Sequence, residues 1–141
     1  MSQAAQYDGA RTDKPMIAGD DTVRGGRIFV VDDELMIRML LDDMLTDVGY
    51  TMTAEAGSID EAMAVASRAD FDIAILDVNL AGQPITPVAE ILVRRGLPFV
   101  FATGYGERGV PEEFRTYPTL QKPFQLEALA DALQAAAPRA R

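Results

Sequence analysis

The sequence predicts an α/β fold, a doubly wound sheet of five parallel strands with helices on both faces, and three observations lead to it. Short, continuously apolar runs such as Ile28-Phe29-Val30-Val31 and Ile73-Ala74-Ile75-Leu76 recur along the chain, and runs of that kind suit strands covered on both faces. Between them lie segments whose apolar residues repeat at helical spacing, and strict strand-helix alternation implies a parallel sheet. Polar residues able to do chemistry fall at the carboxyl ends of the strands, the edge where open α/β sheets hold their ligands.

Residues 1–26 mix Gly, Ala, Asp, Thr and Arg without periodicity and end in Gly25-Gly26, so a disordered tail is expected there, followed by a domain over residues 27–138. The first strand is Ile28-Phe29-Val30-Val31, stopped by Asp32 and Asp33. Ile37, Leu40, Leu41, Met44, Leu45 and Val48 mark the first helix, and Gly49 ends it. Residues 50–56 form a weaker, more polar strand. Ser58-Ile59-Asp60-Glu61 then has the spacing of a capping box, with Ala62, Met63 and Ala66 continuing one helical face. The third strand closes at Asp77, before a loop holding Gly82, Pro84 and Pro87 and a helix over residues 88–95 that stops at Gly96. A fourth strand spans residues 98–102 and a short fifth one residues 119–122. Leu126, Leu129, Ala130 and Leu133 mark the last helix.

Composition narrows the function. A length of 141 residues with 48% hydrophobic content fits one folded domain. Thirteen Lys and Arg against 22 Asp and Glu give a net charge of −9, and with no basic run to focus a positive field, nucleic-acid binding is not expected. The absence of cysteine excludes disulfides and thiolate chemistry. The absence of histidine excludes imidazole metal sites and any phosphohistidine carried on this chain. No apolar stretch approaches a membrane span or a signal core, so a soluble, cytoplasmic protein without membrane insertion is expected.

Asp32-Asp33 follows strand one, Asp77 closes strand three, Thr103 strand four and Lys122 strand five, so three carboxylates, a hydroxyl and an ammonium should converge. Three acids this close repel one another unless a divalent cation neutralises them, and an all-oxygen set suits Mg²⁺. With its charge neutralised, one carboxylate can attack phosphorus. Asp77 is the best candidate, because Asp32 and Asp33 can hold the ion from the adjacent strand. Thr103 and Lys122 would then contact the phosphoryl oxygens. Taken singly, each residue has a plainer reading: Asp33 as a helix N-cap, Thr103 as a turn residue, Lys122 as a surface charge. Their joint placement favours a site.

Val30-Val31-Asp32-Asp33-Glu34, Ile75-Leu76-Asp77, Thr103 and Lys122-Pro123-Phe124 together resemble the receiver domain of bacterial response regulators, the CheY-like variant of the flavodoxin-like fold. Residues 98–105 further look like the PFxFATGY signature of a stand-alone receiver subgroup from alphaproteobacteria. The resemblance implies phosphorylation of Asp77 by a sensor histidine kinase or histidine phosphotransfer protein, and Mg²⁺ held by Asp33 and Asp77, by Asp32 through water and by the backbone carbonyl of Asn79. It implies Thr103 and Lys122 as phosphoryl ligands and a cis Lys122-Pro123 bond. It also implies a monomeric regulator rather than an enzyme, signalling to a downstream protein target or draining phosphate from a shared kinase in a stress-response phosphorelay.

Two positions depart from the receiver pattern. The usual switch aromatic three residues before the lysine is Thr119 here; Tyr105 is a candidate replacement, with an equal reading as a half-buried loop aromatic. Residues 107–117 lack helical periodicity and contain Gly109 and Pro111, so the fourth helix of the family is expected to be short, irregular or ordered only on activation. Two other functions compete. A phosphohydrolase of the haloacid-dehalogenase type needs a second acid two residues after the nucleophile, where this chain has Asn79. A receiver-like scaffold would bind partners without phosphorylation.

Overall fold

The apolar runs become the centre of a parallel sheet in the computed structural model, which describes residues 26–104 and 109–137. In chain order the elements are β1 (Arg27–Val31), α1 (Leu35–Asp47), β2 (Thr51–Ala56), α2 (Ile59–Arg68), β3 (Ile73–Asp77), β4 (Asn79–Leu80), β5 (Gln83–Pro84), α3 (Thr86–Arg95), β6 (Phe99–Thr103), a 3₁₀ turn (Glu112–Phe114), β7 (Thr119–Gln121) and α4 (Leu126–Ala136). The main sheet runs β2-β1-β3-β6-β7, every pair parallel. This is the doubly wound, five-stranded fold that the sequence predicts.

Alternate side chains of each strand feed two cores. Phe29, Val31, Ala74, Leu76, Phe99 and Phe101 pack with α2 and α3 residues such as Ala62, Ala66, Val88 and Leu92. Ile28, Val30, Ile73, Ile75, Val100 and Ala102 pack on the other face with Leu41 and Leu45 of α1 and Leu129 and Leu133 of α4. Covering both faces is what permits strands with no polar side, and β3 and β6 are buried at every position. β2 lies at the sheet edge and alternates exposed and partly covered residues, which explains its weaker apolar signal.

The helix ends follow local chemistry. Ser58 Oγ accepts the Glu61 N–H at 3.2 Å, and the Glu61 carboxylate accepts the Gly57 N–H at 2.8 Å, so the box closes one residue earlier than the usual reciprocal pair. Gly96 ends α3 at φ +73°, a conformation costly for residues with a Cβ. Next to it, Arg95 donates to the carbonyls of Ala66 and Ala69 at 2.7 and 2.9 Å and ties α3 to the end of α2.

Three boundaries differ from the sequence reading. α3 begins at Thr86 rather than at residue 88, because Pro87 suits a first helical turn. The loop expected after Asp77 contains a small antiparallel hairpin, β4 with β5, whose turn residues Ala81 and Gly82 have φ of +52° and +85°. Gly26, expected in the tail, is buried, and its carbonyl accepts the Thr51 N–H at 3.0 Å. The remainder of the expected tail lies outside the described residues, as does Tyr105, the switch candidate.

Where the family's fourth helix was expected to be short or irregular, the described part of the segment holds the 3₁₀ turn Glu112–Phe114. Aromatic rings anchor it: Phe114 lies 5.7 Å from Phe101 and 6.0 Å from Phe99, and Tyr117 stacks on Phe99 at 4.5 Å. Among the described residues, no helix is long and apolar enough to cross a membrane.

Candidate functional site

Among the described residues, the buried polar ones are Asp32, Asp77 and Thr103, and all three lie at the carboxyl edge of the sheet. Strand register puts them there. Val31 pairs with Leu76, so Asp32 and Asp77 each follow a paired residue on neighbouring strands. Asp77 pairs with Ala102, and Thr103 comes next on β6. Thr103 in turn pairs with Gln121 and its carbonyl accepts the Lys122 N–H at 2.9 Å, which brings Lys122 to the same edge.

Burying carboxylates costs several kcal/mol unless partners compensate. Lys122 Nζ supplies one, at 3.1 Å from Asp32 Oδ2 and 3.4 Å from Asp77 Oδ2. Backbone amides supply others: Glu34 N–H donates to Asp32 Oδ1 at 2.9 Å, and Asn79 N–H to Asp77 Oδ1 at 3.3 Å. The compensation is incomplete at Asp77. Burial, aided by the charge of Asp32, pushes its carboxyl up to about 6 against the pull of Lys122 and the Asn79 amide. For Lys122, burial opposes the ammonium charge, but the hydrogen bond to Asp32 and the fields of Asp77 and Asp32 outweigh it and raise its pKa.

The expected metal ligands come together. One carboxylate oxygen each from Asp32, Asp33 and Asp77 lies within 4.8 Å of the others, with Asp33 exposed and the other two buried. Three hard oxygen donors against one ammonium leave an electrostatic deficit that a small divalent cation would fill, so the donor set fits Mg²⁺. Asn79 sits two residues beyond Asp77 in β4, and its side-chain oxygen accepts the Gly82 N–H at 2.9 Å. The Lys122-Pro123 peptide is cis.

The plainer reading of Asp33 does not hold. The N-cap of α1 is Glu34, and no side chain caps that helix. Asp32, rather than Asp33, accepts from a backbone amide at the helix entry. Arg38 is also present in this region and was not expected: it donates to the Asp32 carbonyl at 2.6 Å and to Glu55 at 2.7 Å. Its only signal in the sequence is a cation one turn into α1 on the side facing β2, which is too common a pattern to single out.

Comparisons with known proteins agree with this fold. The family pattern described as response regulator receiver domain matches residues 28–134. Transcriptional regulatory protein PdtaR of Mycobacterium tuberculosis is 34% identical over 119 residues, covering 82% of this chain and 58% of PdtaR, so the chain spans less than two thirds of that relative. SdrG from Sphingomonas melonis Fr1 has a similar structure, at TM-score 0.72 and 41% identity over 82% of this chain and 98% of that one. The PhyR stress response regulator is similar at TM-score 0.70 and 27% identity, over 82% of this chain and 47% of its own. With five strands in receiver order, an acidic triad and a lysine at their carboxyl edge, and a family match across most of its length, this chain belongs to the response regulator receiver domains.

Proposed function

We propose that the chain acts as the receiver domain of a response regulator, whose Asp77 carboxylate accepts a phosphoryl group from a phosphohistidine on a sensor kinase or histidine phosphotransfer protein. The observation that carries this reading is the pairing of a buried, partly neutralised Asp77 with Lys122 at 3.4 Å, within a carboxylate triad that fits a divalent cation. Asp33 and Asp77, with Asp32 through water and the Asn79 carbonyl, would hold Mg²⁺, which supplies charge neutralisation for the attacking carboxylate and the transferring group.

The remaining steps belong to the chain's own residues. An Asp77 carboxylate oxygen forms a bond to phosphorus as the donor's N–P bond breaks, the electron pair returns to the imidazole, and the product is an acyl phosphate. Lys122 turns from the carboxylates toward the phosphoryl oxygens, and Thr103 donates its hydroxyl to them. No general acid is needed for an imidazole leaving group, in keeping with Asn79 standing where a phosphohydrolase would place a second acid.

This sequence holds no histidine, so a phosphohistidine donor lies outside it. Leu35, Met36, Met39 and Leu40, 45 to 77% exposed, cover the outer side of the first turns of α1 immediately after the acids and suit contact with a partner's apolar helix surface. A net charge of −9 disfavours direct nucleic-acid contact, so output runs through a protein target or through phosphate drained from a shared kinase. Likeness to the PhyR stress response regulator supports a setting in stress signalling, and the cysteine-free chain suits the cytoplasm.

Incubation with a small phosphodonor and Mg²⁺, followed by intact-mass measurement, tests the assignment. The wild type gains one phosphoryl group and Asp77→Ala gains none. Steady phosphate release from many substrates would instead indicate a hydrolase, and no modification at all a scaffold.

A further inference from the structure

Asp32 is held on every side that the structure describes. Its N–H donates to the Ala56 carbonyl at 3.1 Å, its carboxylate accepts from Glu34 and Lys122, and its own carbonyl accepts from Arg38 Nη1 at 2.6 Å. That carbonyl belongs to the peptide joining Asp32 to Asp33. Whatever fixes it therefore fixes the direction in which the exposed Asp33 leaves the strand.

Arg38 is itself fixed. Its Nε donates to Glu55 of β2 at 2.7 Å, and its side chain is only 16% exposed. A Cβ added at Gly57 would lie 2.9 Å from Nη1 and 3.6 Å from Cζ of Arg38. An arginine end is ordinarily free to move aside, but here it is bound at two nitrogens, so a side chain at residue 57 would break one of those bonds. Gly57 is in turn held by the Glu61 carboxylate on its N–H.

Resting on the reading of the acidic triad as a cation site, we infer that Arg38 is a positioning residue for that site, with Glu55 and Gly57 as its support. The guanidinium locks the Asp32–Asp33 peptide so that the exposed Asp33 carboxylate stays within reach of those of Asp32 and Asp77 before any ion arrives. A planar fork with two fixed donors can do this; a lysine ammonium reaches one of the two acceptors. Residues that orient metal ligands from behind change affinity by about 10- to 100-fold when removed.

The test is Mg²⁺ titration of the folded full chain by calorimetry, with urea unfolding measured in parallel. Arg38→Ala should weaken Mg²⁺ binding about ten-fold, and Arg38→Lys should recover part of the loss. Gly57→Ala keeps every charge and every ligand, and should weaken binding in the same direction by displacing the guanidinium. Should Arg38→Ala fail to fold, Gly57→Ala decides alone. A folded Arg38→Ala or Gly57→Ala that binds Mg²⁺ within two-fold of wild type overturns the inference and leaves the site standing. A wild-type chain that binds no Mg²⁺, with Asp33→Asn indistinguishable from it, overturns the site and the role of Arg38 together.

Discussion

Asp77 is the residue at which folding and chemistry oppose each other. Its carboxyl is pushed from 3.8 to about 6, chiefly by burial, so the folded state holds its proton more tightly than the unfolded chain does. A carboxyl raised in this way adds stability below the unfolded value, and that stability is lost as pH rises through the window from about 4 to about 6. Above it the charge costs the fold about 2–3 kcal/mol, from about two pKa units at 1.36 kcal/mol each. Asp77→Asn should therefore be more stable than wild type to urea at pH 7 in EDTA, by about 2 kcal/mol, with the gap closing toward pH 4. Equal midpoints at both pH values would show that Lys122 and the Asn79 amide already neutralise the group. The same imbalance suits the acceptor role proposed for this carboxylate, since a group poorly satisfied by the fold has the most to gain from an ion or a phosphoryl group.

Among the elements, the hairpin and the aromatic-anchored turn are the two that depart from plain strand-helix alternation. The hairpin's central pair, Ala81-Gly82, has positive φ at both residues, as a type I′ turn requires, and alanine adopts that region at a cost of roughly 1–2 kcal/mol. Asn is better suited there, so Ala81→Asn should raise the free energy of unfolding by about 0.5–1 kcal/mol without weakening Mg²⁺ binding; circular dichroism in urea checks it. Phe114 is the keystone of the other element. It is 6% exposed and contacts Phe99, Phe101 and Tyr117, so Phe114→Ala should cost about 3 kcal/mol while leaving the acidic triad intact. A much smaller loss would mean that the turn collapses to fill the space. Neither element was legible in detail. A hairpin with alanine at its first positive-φ position and proline in its second strand carries only Gly82 of the usual turn signals, and four aromatic rings spread over residues 99–117 have no period to betray that they meet.

At the scale of the whole molecule, the strands of the sheet were legible because burial on both faces forces continuous apolar runs, and the candidate site because four of the strands end at, or are followed by, a charged or hydroxylic residue. Asp32, Asp33, Asp77 and Lys122 were expected to converge from those positions alone, and they do. What the sequence hid was support that acts at right angles to the chain, such as Arg38 reaching from α1 to the Asp32 carbonyl just past β1 and to a β2 side chain. Since the triad forms only in the folded chain, Mg²⁺ should stabilise it by about 2.7 kcal/mol at a concentration a hundred times its dissociation constant, and EDTA should remove the gain. Asp33→Asn should abolish most of that increment, as thermal unfolding with and without the metal would show. Lys122 has a mechanical consequence as well. It hangs from the last strand, yet its tip is moored beside the first and the third, so it spans the sheet like a guy-rope. That tip is the tie between the acids and the segment in which β7 ends and, four residues beyond Lys122, α4 begins.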